Sequence, residues 1–72
     1  MDKRTACHRL AFMNEKITEK EEGLTHVKSN LKWDHENREW YLEREAELTA
    51  DLEKYTRERD EFIRQYSDII YS

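Results

Sequence analysis

Cys7 and His8 stand side by side near the start of the chain, and with His26 and His35 they are the side chains best suited to hold a metal. A zinc site needs several such ligands converging on one point. Neighbouring residues on a helix point about 100° apart, so Cys7 and His8 cannot easily chelate one ion. No His-x-x-x-His or Glu-x-x-His pair with a matching partner accompanies them. The spacing therefore points to no metal and no cofactor. Carboxylates are abundant, but they sit in a charge-rich pattern that suits a helix surface. Glu53 with Arg57 and Asp60 with Arg64 are four apart in the favourable order, an arrangement that stabilises a helix by about 0.2–0.5 kcal/mol per pair. Gly23 is the only glycine, and one glycine builds neither a phosphate-binding loop nor a nucleophile elbow. The expectation is a protein without enzymatic activity.

The aromatic residues carry more information. Trp33 and Trp40 are seven apart, which on one continuous helix would set them on one face, one above the other. Both fall away from the apolar stripe described below, and large aromatic rings on a charged flank are typical of binding hot spots. Trp33, Trp40 and Tyr41, with the acidic Glu39, Glu43 and Glu47, are read as a docking surface for another protein. The competing reading folds the chain back and uses the rings as core.

The elements that must position these residues are helical. There is no proline, and Glu, Lys, Arg, Leu and Ala are good helix formers. A heptad with Leu10 at position a places Ile17, Leu24, Leu31, Leu52 and Tyr66 at a. It places Met13, Val27, Tyr41, Leu48, Tyr55, Phe62 and Ile69 at d. With Leu10 itself, thirteen of the eighteen a and d positions are apolar or aromatic, where a 36% apolar chain would place about six or seven. This is the pattern of a coiled-coil seam, and its phase runs from Leu10 to Ile69 without a stutter. The fold class is all-α: a long amphipathic helix or a helical hairpin, self-associating as a coiled coil or helical bundle, in a single domain over 1–72.

Two places could break the helix. Asp34 to Glu39 contains no apolar residue, and Asp34 and Asn37 are turn-tolerant capping residues, so a turn at 34–37 would make a hairpin. Gly23, followed by Leu24 and Thr25, resembles a helix end and a new start over 23–25; the plainer reading is a tolerated glycine in an exposed helix. With no strong turn dipeptide in the gap, one continuous helix of about 100 Å is preferred. Arg38, Glu45 and Arg59 interrupt the seam at a, where they either pair across an interface or extend to solvent. Leu42, Ile63 and Ile70 at e widen the stripe beyond a two-stranded seam. The apolar 62–71 segment is expected to be the packed end of a bundle, the alternative being a free amphipathic helix that seeks a partner groove.

Composition sets the outer limits. A chain of 72 residues with one cysteine has no internal disulfide, and chains this small draw stability from partners or self-association. A lone cysteine suits the cytoplasm, and Met1 with the apolar ending is read as a complete small protein. Residues 1–36 hold seven basic and seven acidic side chains, and residues 37–72 hold six and ten. That balance disfavours nucleic-acid binding, despite Lys3, Arg4 and Arg9. No apolar run reaches membrane-spanning length. The expected partners are copies of the chain and one other protein. The function expected is an adaptor, assembly factor or small inhibitor, and the alternative is an acidic helical mimic that blocks a nucleic-acid-binding protein.

Overall fold

The computed structural model describes all 72 residues and consists of two helices, α1 (Lys3–Trp33) and α2 (Arg38–Ile70), folded into an antiparallel hairpin. Asp2 starts α1: its backbone is extended and its carboxylate accepts the Thr5 N–H at 2.8 Å, satisfying one of the free donors of the first turn. At about 1.5 Å per residue the 31 residues of α1 span about 46 Å, close to the 51 Å long axis of the molecule. No helix is long and apolar enough to cross a membrane.

The preference for one continuous helix is overturned. The chain reverses at 34–37, the polar gap in the seam. Asp34 leaves helical geometry (φ −108°, ψ 88°) while its N–H still donates to the Asn30 carbonyl at 2.9 Å. Its carboxylate then accepts the Asn37 N–H at 3.3 Å and the Asn37 side-chain amide at 2.9 Å. The reversal is thus closed by side-chain hydrogen bonds, and no residue in the chain has positive φ. Folding back shelters a stripe that a lone straight helix would leave in water, which is the driving force for the turn.

The heptad seam faces inward. All thirteen apolar a and d residues are buried or half-buried, with Ile17, Val27, Leu48 and Phe62 the most enclosed among them. At the open end of the hairpin, Ala6, Phe62 and Ile70 form a cluster with Leu10, Met13, Tyr66 and Ile69 packed against it. Within one chain, Phe62, Tyr66, Ile69 and Ile70 thus close against the start of α1, whereas Tyr71 is 71% exposed. The backbone departs from helix at Tyr66 (φ −117°, ψ 20°), where the Tyr66 ring lies 4.9 Å from that of Phe62.

The suggested break at 23–25 is absent, since α1 runs straight through it. Gly23 serves a different purpose. A Cβ built there would lie 3.4 Å from both methyl carbons of Leu48, so the missing side chain marks a close approach of the two helices. Polar contacts fix the same register: Lys20 Nζ lies 3.3 Å from Asp51, and Arg59 donates to the Asn14 side-chain carbonyl at 3.3 Å. Of the three charged residues that interrupt the seam at a, Arg59 therefore pairs across the hairpin, Glu45 is half-buried without an ion pair, and Arg38 is exposed.

One hairpin is a thin structure. Only six residues are buried. The radius of gyration is 16.0 Å, against about 11 Å for a compact chain of this length.

Candidate functional site

The tip of the hairpin gathers most of the residues that the sequence assigns to docking. Trp33 is the last residue of α1 and Trp40 the third of α2. Their expected position on one face of one helix is therefore corrected, because the turn lies between them and the seven-residue spacing no longer measures two helical turns. Neither ring fills the core: Trp33 is 82% exposed and Trp40 is 59% exposed. Hydrophobic rings this open, on a chain whose other apolar side chains mostly turn inward, are the largest unsatisfied surface at this end.

Tyr41 plays a different part from its neighbours. It sits at a seam position, half-buried, and its hydroxyl donates to the Asp34 carboxylate at 3.2 Å. Its ring meets that of Trp40 edge-on at 5.1 Å, a favoured aromatic geometry. Tyr41 thus ties the turn together and braces Trp40 from behind. The electrostatics follow from these bonds. Asp34 is held below the usual carboxylate range, chiefly by the Asn37 side-chain amide, with the Asn37 N–H and the Tyr41 hydroxyl adding to it against desolvation. The Tyr41 phenol is pushed up, first by desolvation and then by its bond to the Asp34 carboxylate and the charge there.

The acidic residues line up on α2. Glu39, Glu43 and Glu47 are four apart and all exposed. Glu47 is paired with Arg44 at 3.1 Å, whereas Glu39 and Glu43 form no ion pair. A shallow depression runs along the turn into this stripe, lined by His35, Glu36, Asn37, Arg38, Glu39 and Trp40. The arrangement offers two open aromatic rings beside acidic and mixed polar groups, which suits contact with a protein surface bearing an apolar pocket and basic rim.

Elsewhere, Cys7, His8, His26 and His35 are all exposed, and no three potential metal ligands come together. Near the open end, Arg4, Thr5, His8, Arg9, Phe12 and Met13 line a second shallow groove. There Phe12 is 59% exposed and Lys16 Nζ lies 5.4 Å above its ring.

The Asp34–Tyr41 bond escaped sequence reasoning, although both residues fall at d positions and so share the seam. The Gly23–Leu48 approach escaped it too, because nothing along one strand of sequence tells which residue faces a glycine from another helix. Comparison with protein families, curated proteins and solved structures finds no match to this chain.

Proposed function

We propose that this chain is a non-catalytic protein–protein interaction module that associates with itself and docks another protein through the hairpin tip. The observation that carries the docking reading is the exposure of Trp33 and Trp40, flanking a turn that internal hydrogen bonds hold in shape. In the closed hairpin the turn already sets the two rings apart from the core, with Tyr41 edge-on to Trp40, and a pre-formed presentation lowers the ordering cost of binding. The thin hairpin, with half-buried Leu24, Leu31 and Leu52 and exposed Leu42, supports self-association, since bundles of such pairs bury stripes that one pair leaves open. Adaptor, assembly factor and small inhibitor are the roles in keeping with such a module.

The test compares affinity capture by the native chain with capture by a Trp33→Ala/Trp40→Ala variant. The variant retains full helicity and loses the captured protein. Tryptophan emission of the native chain is red and readily quenched when free, and shifts to the blue on adding the captured protein. Equal capture by both proteins would remove the tip from the binding surface.

A second reading rests on the exposed stripe Glu39, Glu43 and Glu47. Acidic groups in a row on a rigid rod can imitate a phosphate backbone and occupy a nucleic-acid-binding protein. α1 carries seven basic and four acidic residues while α2 carries six and ten, so the acidic field is confined to one helix of the pair. Partner binding that weakens steeply with added salt favours this reading, and salt-insensitive binding favours the aromatic one.

A further inference from the structure

The cross-helix contacts of the hairpin are centred within two residues of one another. Lys3 with Ser72, Asn14 with Arg59, Lys20 with Asp51 and Gly23 with Leu48 are each disposed symmetrically about a point between residues 35 and 38, inside the turn. Two straight copies of the chain laid antiparallel about a two-fold axis near residue 36 would bring the same regions together, in nearly the same residue pairs. We infer that the hairpin opens at 34–37 and exchanges with a swapped dimer, in which each chain is one continuous helix and α1 of one copy packs on α2 of the other.

Three observations support it. The first is phase. Leu31, Asp34, Arg38 and Tyr41 continue the three-four spacing of the seam through the turn. A hairpin does not require this, because the turn frees the two helices from a common phase. A continuous helix does require it. The second is the turn itself. Asp34, His35, Glu36 and Asn37 include no glycine or proline and no positive φ, so all four residues accept helical geometry. Helical bonds already abut them on both sides, from Asp34 to Asn30 and from Tyr41 to Asn37. The reversal is held by the hydrogen bonds of one carboxylate, that of Asp34.

The third observation is the charge at the centre. In the hairpin, Arg38 is exposed and has no ion pair. In the straightened pair, the axis sets Asp34 of each copy beside Arg38 of the other. The polar gap in the seam then becomes two opposite-charge contacts that favour the antiparallel orientation. A short hinge whose flanking contacts can be rebuilt between copies is the usual route to domain swapping.

This inference rests on the self-association reading, and the experiment separates the two. Lys20→Cys and Asp51→Cys are introduced together in a Cys7→Ser chain, and a short bis-maleimide is added at several protein concentrations after mass in solution has been measured. The swapped form yields covalent dimers on a denaturing gel, in proportion to the dimer seen in solution. A dimer in solution that yields only internally linked monomers overturns the swap and leaves side-by-side self-association standing. A monomer at every concentration overturns both. An independent variant, His35→Gly/Glu36→Gly, disfavours helix through the hinge by about two- to threefold per glycine in each chain. It lowers the dimerisation constant on the order of thirtyfold while the hairpin stays folded. An unchanged dimerisation constant in that variant also overturns the swap.

Discussion

Gly23 and Leu48 meet where the helices approach closely, with both Leu48 methyls 3.4 Å from where a glycine Cβ would be. That distance admits a methyl group as ordinary contact and leaves no room for more. Glycine inside a helix costs about 1 kcal/mol relative to alanine. Gly23→Ala is therefore expected to stabilise the hairpin by about 0.5–1 kcal/mol, a rise in Tm of several degrees for a chain this small. Gly23→Leu overfills the same space and destabilises by about 1–3 kcal/mol. Thermal and urea melts followed by circular dichroism read both. A loss of stability in Gly23→Ala would mean that the helices cannot yield at this point.

Leu48 is itself the most enclosed large side chain, at 3% exposure, while Leu42 on the same helix is 44% exposed. Truncating a buried leucine removes its burial and leaves a gap. Leu48→Ala is expected to cost about 2–3 kcal/mol, the low end for such changes because a two-helix structure collapses readily. Leu42→Ala stays within about 0.5 kcal/mol at dilutions where the chain is a monomer. A loss at Leu42 as large as that at Leu48 would place Leu42 in a contact beyond the single hairpin.

The inward face was legible from the heptad spacing because a period of 3.5 records which side chains meet another helix. It does not record to which chain that helix belongs. The sequence favours a continuous helix because 34–37 lacks a glycine or proline signal. The reversal instead depends on where the Asp34 carboxylate points, and that is a tertiary property of Asn37 and Tyr41. The placing of Trp33 and Trp40 on one face failed for the same reason, since it assumed an unbroken helix between them. The seam residues did not depend on that assumption, because each half keeps its own stripe whichever way the chain turns.

The turn gives the stability a dependence on pH at both ends. Asp34 is ionised more readily in the folded chain than in the unfolded one, chiefly through the Asn37 side-chain amide. Asp2 is held low as well, chiefly by the Thr5 N–H. These contributions are fully present at neutral pH and are lost as pH falls below the ordinary aspartate value through the depressed folded values. Asp34→Asn makes the acid limb of a stability–pH curve shallower and leaves the Asp2 part. The Tyr41 phenol is raised in the folded chain. Its contribution is present below the ordinary tyrosine value of about 10 and is lost as pH climbs through the raised one. Tyr41→Phe flattens that alkaline limb. Midpoints of urea unfolding across the pH range check both, and identical curves for native and variant chains would remove the Asp34–Tyr41 bond from the turn.

Lys20 and Asp51 connect helices across the hairpin at 3.3 Å, with side chains 23% and 43% exposed, and Lys20 also stands 6.0 Å from the Tyr55 ring centroid. Arg64 and Glu61 form an ion pair too, but on one helix and more openly, at 76% and 62% exposure. Partial shelter weakens screening, so the cross-helix pair should show the larger coupling in a double-mutant cycle. A value of about 0.5–1 kcal/mol is expected for Lys20→Ala with Asp51→Ala, and below about 0.5 kcal/mol for Arg64→Ala with Glu61→Ala. Raising salt from 0.1 M to 1 M shortens the screening length from about 10 Å to about 3 Å. Charges 3.3 Å apart and partly covered keep much of their attraction under that change, whereas the open pair loses most of it. Only the first pair reports the pairing of α1 with α2. A Lys20–Asp51 coupling that vanished at low salt would therefore mean that the helices do not hold this register in solution.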